Sequence, residues 1–182
     1  MTIFASLITS GILILMAVSC LVISERGITH NTYERFLNNG NSCVAYLENQ
    51  TVLSHKWILE AKQEYKVEFR IRNNGKKLYF DKLDTESQNQ DKKEEDLSSV
   101  ENMLTEAARI SREEQGLDVD YMGSLSLSKT VYFETSDFYA CTALISKGSG
   151  VLSLVLVYPL DGLKTQIFHQ RVWFGGMVLL AV

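Results

Sequence analysis

Charge is missing from both ends of this 182-residue sequence: no Lys, Arg, Asp or Glu precedes Glu25, and none follows Arg171. A near-zero mean hydropathy averages over that division and hides it. The net charge of −4 leaves no basic footprint, so no nucleic-acid partner is expected. There is no GxxxxGK[ST] loop and no GxGxxG after a strand, the patterns that cradle phosphates. Histidine is scarce, and His30, His55 and His169 have no metal-ligand spacing among themselves or with the cysteines. Ser, Asp and His occur, but presence without geometry is not a triad. No catalytic residue, metal ligand or cofactor is expected in this chain, and it is not read as an enzyme. Only three cysteines occur, Cys20, Cys43 and Cys141, too few for a disulfide framework. Cys43 and Cys141 are either a pair in an oxidising exterior or, the commoner case, two small buried thiols. No internal repeat is visible.

The uncharged ends are themselves informative. Met1 to Ser24 reads MTIFASLITSGILILMAVSCLVIS. At about 1.5 Å per residue, a helix of this length reaches roughly 30 Å or more, the depth of a bilayer core. A cleaved signal wants a basic start and a shorter apolar stretch, neither of which is present. Ala17-Val18-Ser19-Cys20 loosely resembles the box before a lipidated cysteine, but Ala17 stands where a larger aliphatic residue is usual. The length rule therefore favours a membrane anchor, with a lipoprotein signal at Cys20 as the alternative. At the other end, Val172 to Val182 (VWFGGMVLLAV) has no polar face. It is shorter than the ~20 residues a span needs, and Arg171 and Trp173 stand where interfacial anchors do. It is read as the first half of a second span, at which the sequence is cut. The expected organisation is thus a transmembrane helix over 1–24, an extracytoplasmic domain over 25–171 and the start of a second transmembrane helix over 172–182. Both ends would face the cytoplasm. The positive-inside rule does not decide the orientation, because the intervening segment is too long for it.

Between the ends, Tyr33, Phe36, Leu37, Gly40, Val44 and Leu47 fall on one face of a helix, with a kink expected at Gly40. That face packs within the monomer or forms a dimer seam. Lys66 to Arg72 alternates polar and apolar residues as a strand does, Asn73-Asn74-Gly75 turns, and Lys76 to Asp81 returns with Leu78 and Phe80 inward. Asp84 to Asp96 reads as a solvated loop. A helix capped by Ser98 or Ser99 follows, with Val100, Met103, Leu104 and Ala107 on its apolar face and Gly116 at its close. A meander comes next: Leu125 and Leu127 alternating with serines, Val131 to Glu134, Phe138 to Ser146, and the almost wholly apolar Val151 to Tyr158, which suits a central strand. Pro159 ends it, and a helix from Leu163 runs towards the second span. The expected fold class is α+β, with an antiparallel or mixed sheet of about five strands.

Three patches resemble a known family. Asn74-Gly75-Lys76-Lys77-Leu78-Tyr79-Phe80-Asp81 is similar to its "DGxxLYDS" hairpin. Asp137-Phe138-Tyr139-Ala140 is similar to its "YYA" strand. Gly150 to Leu154, followed by Tyr158-Pro159-Leu160, is similar to its last strand. In this order and spacing they resemble the sensor region of bacterial transmembrane histidine kinases of the PhoR-like and WalK-like kind, which carry a PAS-like, single Cache-like domain between two spans. The resemblance implies signal sensing as the input part of a two-component system. It also implies a homodimer, a small-molecule ligand or envelope protein as stimulus, and a cognate response regulator reached through a cytoplasmic part that this chain lacks. A chemotaxis receptor or diguanylate cyclase would use the same input, and a lipid-anchored surface protein is the alternative outside signalling. Ser54-His55-Lys56-Trp57 resembles the phosphoacceptor "SHELKTP" only superficially, without the acidic residue after the histidine. By resemblance, a ligand would lie between the sheet and the helix before the third strand, near Arg109, Arg112, Tyr121, Tyr132 and Tyr139. The bland reading of these five is arginines facing water and tyrosines half-buried in the core.

Overall fold

The computed structural model describes residues 2–78, 90–148 and 150–181, without the side chains of 2–7, 90–97 and 177–181. The fold is α+β: α1 (Thr2–Asn49), α2 (His55–Tyr65), β1 (Glu68–Asn73), β2 (Lys76–Lys77), α3 (Gln90–Glu113), β3 (Lys129–Glu134), β4 (Phe138–Lys147), β5 (Gly150–Pro159) and α4 (Asp161–Ala181). The five strands form one sheet in the order β2-β1-β5-β4-β3, every neighbouring pair antiparallel. The apolar run from Val151 is the central strand, covered on both faces.

The chain divides into two compact units, Phe36–Pro159 and Met1–Arg35 with Leu160–Val182. The first holds the sheet. On one face, Phe133, Phe138, Ala140, Val155 and Val157 bury against Leu104, Ala107, Ala108 and Ile110 of α3. On the other, Phe36 of α1 meets Tyr132, Tyr139 and Tyr158 at ring-centroid distances of 6.2, 5.8 and 6.4 Å. There Trp57 of α2 stacks on Tyr46 of α1 at 3.7 Å and reaches Phe69 of β1 at 6.5 Å. The pleat makes this sorting, because successive side chains point to opposite faces. Tyr132 and Phe133 therefore part company, as do Phe138 and Tyr139.

Turns and caps follow local chemistry. Asn74 and Gly75 both take positive φ, 47° and 74°, the conformation a two-residue hairpin turn asks for. Gly116 does so at 64°, after which the Leu117 N–H returns to the Ser111 carbonyl at 2.9 Å.

Several expectations need correction. The helix of α2 was not foreseen: it is short, is capped by Ser54, whose hydroxyl accepts from the Trp57 N–H, and buries only Ile58 and Ala61 fully. The backbone of α3 begins at Gln90 rather than at Ser98 or Ser99, so of the run expected as loop over 84–96, residues 90–96 are helical. Lys, Glu and Gln are good helix formers, and acidic residues suit a helix N-terminus. Of the expected return strand over 76–81, Lys76–Lys77 is a strand and the Leu78 N–H bonds the Ile71 carbonyl at 2.9 Å; Tyr79 to Asn89 lie outside the described residues. Leu125 and Leu127 are not in a strand. Ser146 Oγ donates to the Leu125 carbonyl at 2.6 Å, and the Ser146 N–H to Ser128 Oγ at 3.3 Å, in place of a ladder. At Gly40, where a kink is expected, α1 is continuous as far as Asn49, a continuity that a kink does not interrupt.

Candidate functional site

Among the described residues one helix, α1, is long and apolar enough over Ile8–Asn49 to cross a membrane. Large apolar side chains in its first part are open to the surroundings, Leu15 and Ile23 both at 70% exposure, and Trp173 of α4 is similar at 71%. In the unit that joins the first part of α1 to α4, the charged-to-uncharged boundaries of the two helices coincide. Arg171 grips Glu25 through two bonds, Nε to Oε1 at 2.6 Å and Nη2 to Oε2 at 2.8 Å. Beside them Gln170 Nε2 donates to Ser24 Oγ at 2.7 Å. Ser24 is the last residue of the uncharged run of α1, and Val172 the first of the uncharged run of α4. The bonds from Arg171 hold the Glu25 carboxyl below its ordinary value, and the carboxylate in turn raises the guanidinium.

In the sheet unit, the second half of α1 is fastened at two levels. Gly40 lies against the Tyr132 ring: a Cβ there would stand 2.8 Å from Tyr132 Cε1. The Tyr132 hydroxyl donates to Asn41 Oδ1 at 2.7 Å. At the helix C-terminus, Lys147 Nζ donates to the carbonyls of Glu48 and Gln50, both at 2.7 Å, where a cation complements the helix dipole. Cys43 and Cys141 are both free and buried, and burial pushes each thiol up to about 12.

The five residues named for a ligand do not converge. Arg109 is held on the surface of α3 by Glu106 (2.6 and 2.9 Å) and by Glu113. Arg112 pairs with Asp118 and Asp120 at 3.1 and 2.7 Å. Tyr121, 42% exposed, follows in the next loop, its N–H on the Asp118 carbonyl at 3.1 Å. Tyr132 and Tyr139 are brought together, but under α1, with the sheet between them and α3. Tyr139 is 3% exposed and stacks on Tyr158 at 6.2 Å.

On the α3 face the buried cation is Arg70, whose Nη2 donates to Thr105 Oγ1 at 2.8 Å and Glu101 Oε1 at 3.1 Å, tying β1 to α3. Burial lowers its pKa, with Glu101 opposing. Among the described residues no group of three His, Cys, Asp or Glu could hold a metal ion. Sequence reasoning missed the Glu25–Arg171 pair, 146 residues apart; the only signal was that each flanks an uncharged run. It missed Arg70 too, which occupies an ordinary polar position of an alternating strand.

No protein-family model, curated protein or solved structure matches this chain.

Proposed function

We propose that this chain is the sensing end of a bacterial transmembrane receptor. In this reading α1 up to Ser24 is one span and Val172 onward enters the bilayer as a second. The chain from Glu25 to Arg171 stands outside the cytoplasm as a PAS-like or single Cache-like domain. The observation that carries it is the shared charge boundary: Glu25 and Arg171 pair where both helices turn from charged to uncharged. A bilayer surface asks for such a level, with ionic side chains on its wet side and none beyond. The chain order supports transmission as well as anchoring. Central strand β5 ends at Pro159, and α4 begins at Asp161, so a displaced strand is followed almost at once by the exit helix.

The output fitting this arrangement is a histidine kinase working through a response regulator, with the receptor as a homodimer. A stimulus that prefers one state of the domain need supply only about 1–3 kcal/mol of coupling for a several-fold change in output. To test this, residues 1–182 are joined to the second half of a transmembrane helix and the cytoplasmic part of a histidine kinase, and one to four alanines are inserted after Leu163. Autophosphorylation should vary with the helical phase of the insertion and return near wild type at four residues, about one turn. Output indifferent to insertion length would remove the signalling role.

A further inference from the structure

We infer that Glu25 and Arg171, with Ser24 and Gln170 beside them, form a clasp that selects one axial register between the two spans and so defines one signalling state. The inference rests on the membrane reading above and adds to it a means of regulation. A guanidinium and a carboxylate joined by two parallel bonds form a planar fork that fixes direction as well as distance. The Gln170–Ser24 bond supplies a second point on each helix, so the contact resists sliding as well as rolling.

The neighbouring turns make the register unique. A slide of one turn along α1 would bring Arg171 to Leu21, Val22, Ile28 or Thr29, none of them acidic. The same slide along α4 would bring Glu25 to Ile167, Phe168, Phe174 or Gly175, none of them basic. No register shifted by one turn on either helix re-forms the fork, and Lys164, two turns back along α4, carries no guanidinium to make one. The clasp is nevertheless openable. The Arg171 side chain is 61% exposed, so water can take up its charge when the fork parts. A contact that specifies one register and opens readily is suited to a switch rather than to a permanent lock.

The test uses the whole chain in membrane vesicles with Cys20→Ser, and with Ser24→Cys and Gln170→Cys as a reporter pair under mild oxidation. The disulfide should form readily with Glu25 and Arg171 present. Arg171→Glu should slow it roughly ten-fold, within the range of ordinary site-to-site coupling, and adding Glu25→Arg should restore it. Moving the carboxylate one turn, by Glu25→Gln with Thr29→Glu, should shift the favoured cross-link from Ser24→Cys to Ile28→Cys. Cys43 and Cys141, unreactive while the domain is folded, report folding in every variant. A cross-linking rate indifferent to Arg171→Glu, or a favoured partner that stays at Ser24→Cys after the carboxylate moves, overturns the clasp. Carbonate washing of the same vesicles separates the two ideas: a chain that washes off refutes the membrane reading, whereas one that stays while cross-linking ignores charge refutes the clasp alone.

Discussion

Gly40 of α1 lies so close to Tyr132 of β3 that a Cβ at position 40 would stand 2.8 Å from ring carbon Cε1. The glycine is a seat for the tyrosine, whose hydroxyl then reaches Asn41 at 2.7 Å. Alanine would gain about 1 kcal/mol of helix propensity and lose about 1–3 kcal/mol to overpacking. Gly40→Ala should therefore lower stability in denaturant titrations, and Tyr132→Ala in the same chain should remove most of the penalty. A stabilising Gly40→Ala would show that the helix bears on the sheet elsewhere.

Ser111 and Thr142 are both fully buried and share a hydrogen bond of 2.8 Å between α3 and β4, while Ser111 Oγ also donates to the Leu117 carbonyl at 2.8 Å. Ser111→Ala leaves the Thr142 hydroxyl and a carbonyl unpaired, at about 1–3 kcal/mol. Thr142→Val leaves Ser111 its second partner and should cost less. The double variant should be less destabilised than the sum, because the stranded hydroxyl is gone. Additive losses in urea titrations would mean the bond is not made.

Lys147 closes the C-terminus of α1 by donating to Glu48 and Gln50. Lys147→Met should weaken the last turn of that helix by roughly 0.5–1 kcal/mol. Faster hydrogen exchange at residues 45–49, with exchange in β4 and β5 unchanged, is the expected pattern. Uniform exchange throughout would deny the cap.

The sign of the acid response at the clasp follows from Glu25, whose carboxyl Arg171 holds below the ordinary value of 4.5. A depressed carboxylate adds its full contribution above 4.5 and loses it as pH falls through the lower, paired value. Spin labels replacing Ser24 and Gln170 should keep their separation through neutral and mildly acid pH and part only below the ordinary carboxylate value. Parting near neutrality would assign the change to another group.

What the sequence discloses is governed by range. The alternation of Lys66 to Arg72, the Asn74-Gly75 turn and the apolar run of β5 are local signals, and each is matched by an element of the fold. Leu104 and Ala107, named for the apolar face of a helix, are buried on α3. The start of α3 was hidden because charged residues make good helix as readily as solvated loop. The alternating leucines 125 and 127 imitate a strand, but a strand needs a partner edge, and Ser146 satisfies that backbone with its side chain instead. Tyr132 and Tyr139 lie under α1 rather than beside the helix to which the resemblance assigns them, and strand parity alone does not say which layer lies above. Glu25 and Arg171 were legible singly as boundaries and illegible as a pair, since nothing local joins residues 146 apart.

Accessibility of introduced cysteines in intact cells, with Cys43 and Cys141 buried, tests the membrane placement most directly. Cysteines placed one at a time at Leu15, Glu60, Glu114 and Trp173, in a chain lacking Cys20, are treated with a membrane-impermeant maleimide. Labelling at 60 and 114 before lysis, with 15 and 173 protected until detergent is added, is the predicted result. Equal labelling at all four positions, or protection of 60 and 114 until the cells are broken, would contradict an exported domain held between two spans.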